Sequence, residues 1–245
     1  MTSVTERAEP AARYRFPVLT TAAAGIAITA AIVQYAVPSA VAALQRAPGG
    51  LPPGQWWRLV TPLLVQTLGW YQVAANLVTL VVIGVIAERL LGRWRWLVLA
   101  ASGTAGGQAA AYAWHQPGGG DSIAIAGLAG GTAVALLHGR PPRAAAQAVL
   151  YYIAALGGWA LTASPNTSLI AAVLACALTA AFLNAPPARW RRAAERTALA
   201  ATAPGAALIA AARHDLHGVS LLAGMAAMIM LLAAAGPAAA VRRRH

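Results

Sequence analysis

A chain of 245 residues that is 59% hydrophobic and 10% charged, with mean hydropathy +0.62, lacks the roughly one-quarter of charged residues with which a soluble domain covers its surface. That composition excludes an ordinary soluble domain and predicts an all-α membrane protein, in which apolar side chains face lipid as well as one another. The net charge of +12 comes from 18 basic residues, all arginine, against 6 acidic ones. They stand in short clusters between apolar runs, which argues against a nucleic-acid partner and makes them orientation signals in a lipid bilayer.

In chain order, residues 1–16 are polar and mixed in charge and read as a cytoplasmic tail, without a cleavable signal peptide. Eight apolar runs follow at about 17–36, 70–88, 94–114, 122–138, 144–163, 167–185, 197–212 and 216–236, near the ~20 residues that a spanning helix needs. They make residues 17–236 one multi-pass transmembrane domain, and 237–245 a basic cytoplasmic tail. With the N-terminus inside, 15 of the 18 arginines face the cytoplasm, and only Arg46, Arg58 and Arg213 fall outside. Both termini are then cytoplasmic, and the cell membrane is the expected location. Trp56, Trp57, Trp70, Trp94, Trp96, Trp114 and Trp190 lie at expected helix ends, where an indole keeps its N–H wet. The outer loop 37–69 carries too much apolar surface for a connector and is expected to lie in the interface or against the bundle. Cys176 has no intrachain partner and reads as a small core residue.

Polar groups that remain near the apolar runs are the functional candidates: Gln66, Gln72, Asn76, Asp121, Ser122, His214, Asp215, His217 and Ser220. All belong to the outer ends of the second, fourth and eighth runs. Ser122 follows Gly118-Gly119-Gly120-Asp121 and opens the fourth, where free backbone N–H groups can hold an oxyanion. Ser and Asp are also ordinary helix caps. His217 opens the eighth run and can serve as a base to a serine within reach; an interfacial histidine is the plainer alternative. His214 and His217 have too few further ligands nearby for a metal site, so no metal and no cofactor is expected. Gly127 with Gly131, and Ser220 with Gly224, are each spaced four apart, a pattern that lets membrane helices approach closely.

Trp57-Arg58, Asn76, Glu88-Arg89-Leu90-Leu91-Gly92, Gly120-Asp121-Ser122-Ile123 with Gly127-Leu128-Ala129-Gly130, and His217 with Ser220 and Gly224 together resemble the rhomboid intramembrane proteases. The resemblance implies a rhomboid-like core and a Ser122–His217 dyad that hydrolyses a peptide bond of a membrane-anchored substrate. In it the Ser122 N–H and the Asn76 side chain hold the oxyanion, and no third acid is needed. Three positions depart from the family pattern: Gln72 replaces a histidine, Ile123 a glycine, and Ala126 an aromatic residue. Ser122 and His217 are far enough apart in sequence for two helices beyond the family's six. A rhomboid-like protein that binds or retains a partner's transmembrane helix without catalysis is the alternative. The distance from Ser122 Oγ to the His217 ring, and the place of Ile123, separate the two.

Overall fold

The computed structural model describes residues 16–139, 142–162 and 164–235, which form helices joined by short connections and one irregular loop. Arg7, Arg13, Arg15, Arg140 and Arg242 to Arg244 lie outside those residues, as do most of the expected N-terminal tail and all of the C-terminal one. In chain order the long helices are α1 (Val18–Ala36), α3 (Trp70–Leu91), α4 (Arg93–Ala113), α5 (Ser122–His138), α6 (Arg143–Ala160), α7 (Pro165–Asn184), α8 (Arg191–Ala212) and α9 (Leu216–Ala234), with a short α2 (Ser39–Leu44). Each of the eight apolar runs thus lies on its own long helix. Among the described residues, α1, α3, α9 and residues Asn166–Asn184 of α7 are long and apolar enough to cross a membrane. The chain is a membrane protein.

Two sequence expectations change on physical grounds. Helix α8 starts at Arg191 rather than near 197, because Glu195 is buried and receives the Arg143 guanidinium at 2.6 Å. Hydropathy counts those residues against a helix, whereas pairing makes them part of one. Trp96 is no interfacial indole: it is 7% exposed within the hydrophobic core, and its N–H has no partner among the described residues. Trp56, Trp70, Trp94 and Trp190 are exposed.

Helix α5 is the central element, buried from Ile123 to Leu136 at nearly every position and packed most closely on α9 and α4. Its Ala- and Gly-rich sequence carries no charge between Ser122 and His138, so backbones rather than long side chains meet at the crossings. A Cβ at Gly224 of α9 would collide with the Gly127 carbonyl of α5, and a Cβ at Gly127 would collide with Gly103 of α4. At the far end of α3, Glu88 accepts the backbone N–H groups of Leu19 and Thr20, at 3.0 and 2.8 Å, and the Thr20 hydroxyl. It thereby satisfies two of the free N-terminal donors of α1.

The loop 37–69 packs on the bundle. It contains α2 and two 3-10 turns, Trp56–Leu59 and Thr61–Leu64. Arg46 is buried, contacts Gln108 Oε1 at 2.9 Å and the Gln116 carbonyl, and pairs by backbone with Gly118. Arg58 binds Gln55 Oε1 and the Gln45 carbonyl, while its own carbonyl accepts the Tyr112 hydroxyl at 2.6 Å. These two arginines, read from sequence as outer-side charges, therefore bind the loop: Arg58 within it, and Arg46 to α4 and to the segment that leads into α5.

Candidate active site

Ser122 is placed by the segment before it. Gly118 and Gly120 have φ of +112° and +149°, a region that side chains rarely enter, and a Cβ at Gly120 would stand 2.5 Å from the Gln72 amide nitrogen. The Gly120 N–H donates to the Pro62 carbonyl at 2.8 Å, so the packed loop holds the turn that aims Ser122. His217 lies in the first turn of α9. Its Nε2 is 2.7 Å from Ser122 Oγ, and its Nδ1 is 2.6 Å from Asp215 Oδ1. An ionised carboxylate only accepts, so the ring proton sits on Nδ1 and Nε2 accepts from the serine hydroxyl. Burial opposes ionisation of Asp215, but the His217 ring and backbone N–H outweigh it and hold the carboxyl below its ordinary value.

A second polar cluster adjoins this pair. Gln34 holds the backbone of Gln66 through both amide atoms, at 2.9 and 2.7 Å. Gln66 in turn donates to Asp121 Oδ1 at 2.8 Å and accepts from Asn76 Nδ2 at 2.8 Å. Asn76 Nδ2 also donates to Asp121 Oδ1 at 2.9 Å. Both Asn76 hydrogens are therefore committed, and neither points at a vacant oxyanion position. Burial raises the Asp121 carboxyl above its ordinary value, and hydrogen bonds from Gln66 and Asn76 only partly offset this. Gln72 bridges the Gly119 carbonyl and the Leu68 N–H, at 3.1 and 2.8 Å, and so braces the glycine turn.

The family model described as "Rhomboid domain" matches residues 53–185, just over half of the chain. The chain belongs to the rhomboid family. No curated protein and no solved structure matches it. The rhomboid match takes in Trp57, Arg58, Gln72, Asn76, Gly120 and Ser122 and ends before α9. His217 lies outside the matched residues, and it is the 2.7 Å contact with Ser122 that joins it to this rhomboid site.

The rhomboid positions that depart from the family pattern fall in different places. Ile123 is 1% exposed and turns toward Gly107 of α4, away from the groove; it does not fill the space beside Ser122. Ala126 is fully buried. A groove of about 320 Å³ opens beside Ser122, His217 and Asp215, walled by Tyr71 and Asn76 of α3, Tyr152 and Trp159 of α6, and Leu169 of α7. Sequence reasoning passed over Tyr152 and Trp159 because both sit inside an apolar run, where aromatic residues read as core. Trp57 and Arg58 stand away from the groove: the Trp57 N–H reaches the Ala43 carbonyl at 3.5 Å, and both serve the loop. Of the packing positions, Gly224 faces Gly127 as a serine-helix to histidine-helix contact requires. Gly131 instead meets Leu99, and Ser220 meets Gly107, both on α4. Helix α4, which packs against both α5 and α9, carries its own four-residue spacing, Gly103 and Gly107, and that signal was readable.

Proposed function

We propose that this rhomboid-family protein is an intramembrane serine protease that hydrolyses a peptide bond of a membrane-anchored substrate. The observation that carries this reading is the 2.7 Å contact between His217 Nε2 and Ser122 Oγ at the floor of an apolar groove, a separation at which a histidine can take a hydroxyl proton. In the attack, Ser122 Oγ bonds to the scissile carbonyl carbon while its proton moves to Nε2 and the carbonyl π pair moves to oxygen. The Ser122 backbone N–H and one Asn76 N–H, exchanged from Gln66 or Asp121, receive that oxyanion. His217 then protonates the leaving amine as the C–N bond breaks, and a water activated by the same ring hydrolyses the acyl-serine. All eight long helices cross the bilayer in this reading, with both termini cytoplasmic and the groove in the outer half, in the cell membrane. No cofactor or metal takes part.

A second reading, a rhomboid-like protein that binds or retains a partner's transmembrane helix without cleaving it, draws support from the commitment of both Asn76 N–H groups. Purified protein in proteoliposomes with a single-span reporter substrate distinguishes the two. Cleavage that is lost in both Ser122→Ala and His217→Ala is expected for the protease. Reporter binding without cleavage in the unaltered protein would shift the assignment to the binder. Cysteine-accessibility labelling of the 139–143 and 114–118 connections tests the topology, which requires them on opposite sides.

A further inference from the structure

Asp215 does more in this structure than cap a helix. As the residue before α9 it accepts the His217 backbone N–H at 2.9 Å, an ordinary N-cap contact. The cap makes no demand on the imidazole ring, yet the same oxygen also lies 2.6 Å from Nδ1. The turn that presents the carboxylate is fixed from two sides. Its N–H donates to the Ala210 carbonyl at 2.8 Å, and His214 before it adopts a positive φ of 59°. The His214 carbonyl accepts Gln116 Nε2 at 2.7 Å, and its ring rests against Trp114 at 5.0 Å. Gln116 and Trp114 belong to the α4–α5 connection, the same segment that leads into Ser122. Carboxylate and serine are therefore both held to one connection, with the imidazole between them.

We propose that Asp215 is a positioning residue for this site, so that the proton-transfer unit is Asp215–His217–Ser122 rather than a serine–histidine pair alone. Its carboxylate keeps the ring proton on Nδ1 and the Nε2 lone pair facing Ser122. When Ser122 Oγ bonds to the substrate carbonyl carbon, the serine proton goes to Nε2, the Nδ1 proton stays on the ring, and the carboxylate faces the resulting imidazolium. The proton on Nε2 then leaves with the amine. The proposal rests on the protease reading, and it adds an acid to a site for which the family resemblance requires none.

The test compares Asp215→Ser, Asp215→Asn and Asp215→Glu with the unaltered protein. Serine keeps the helix cap but cannot reach the ring as an anion. Asp215→Ser is expected to retain its melting temperature in detergent and its KM for the reporter while kcat falls on the order of 10⁴-fold. Asp215→Asn should fall similarly, and Asp215→Glu should recover part of the loss. In proton NMR of the micellar protein, the Nδ1 proton bonded to the carboxylate should appear at low field in the unaltered protein and vanish in Asp215→Ser. A kcat within about threefold of the unaltered protein in Asp215→Ser, or a low-field proton that persists there, overturns the role and leaves Asp215 a cap. If the unaltered protein cleaves nothing and matches Ser122→Ala, the protease reading falls instead, and the proton resonance still decides whether Asp215 holds the ring.

Discussion

Helices α9 and α7 are nearly alike by composition and unlike in place. Their apolar windows have mean hydropathies of 2.0 and 1.9, yet 33% of the α9 window is buried against 11% of the α7 window. The difference lies in the glycines. In α9, Gly218 lies against Ala207 and Ala211 of α8, Ser220 against Gly107 of α4, and Gly224 against Gly127 of α5, so three neighbouring helices approach it closely at small residues. Helix α7 has no glycine, and it exposes Leu169, Ile170, Val173, Leu174, Leu178 and Phe182. Hydropathy places a helix in the membrane, and the distribution of small side chains decides whether it faces lipid or the bundle. The consequence for the site is direct, since the His217 ring can meet Ser122 only because α9 and α5 come into backbone contact.

The sharpest way to break that comparison is to fill the seam. Gly224→Leu would drive a side chain into the Gly127 carbonyl, a clash with backbone that no rotamer relieves. It should cost about 3 kcal/mol or more, seen as a large drop in melting temperature and loss of cleavage; an unchanged melting temperature would show that the helices do not touch there. A smaller effect is expected at the neighbouring polar cluster. If one Asn76 N–H is released to the oxyanion during turnover, Asn76→Ala should lower kcat about 100-fold with the fold intact, measured on the reporter. Activity within a few-fold of the unaltered protein would leave oxyanion stabilisation to the Ser122 N–H. The smallest effects belong to positions with open surroundings. Leu178→Ala on α7 should change stability by less than about 0.5 kcal/mol, and Gly205→Ala on α8, where an added Cβ meets nothing within 4 Å, should stabilise by about 0.5–1 kcal/mol. A large change at Leu178 would mean that α7 is covered by a partner rather than by lipid.

The same contrast explains what the sequence made legible. Each apolar run marked a long helix among the described residues, and for the four that are long and apolar enough to cross a membrane the reason is plain: lipid requires a continuous hydrogen-bonded backbone and leaves little else to choose. The extra first turns of α8 were hidden because Glu195 and Arg143 cancel each other only in three dimensions. Trp96 was misplaced because position near a helix end does not say which way a ring turns. At the site, Ser122 and His217 stood out as polar residues at run ends, and the "Rhomboid domain" match covers only the serine half. The separation of Asp215 from a mere mouth residue needed the His214 turn, and the turning of Ile123 away from the groove needed the α4 backbone at Gly107. Neither has a one-dimensional signature.

The central claim is that Ser122 is an activated nucleophile, and the most direct measurement is covalent labelling by a serine-directed fluorophosphonate in detergent or membranes, with the site mapped by mass spectrometry. Here the probe's fluoride leaves as the serine oxygen bonds to phosphorus. The account predicts one adduct, on Ser122, absent in Ser122→Ala and strongly slowed in His217→Ala. Absence of the adduct from correctly folded protein, or undiminished labelling in the Ser122→Ala variant, would contradict it.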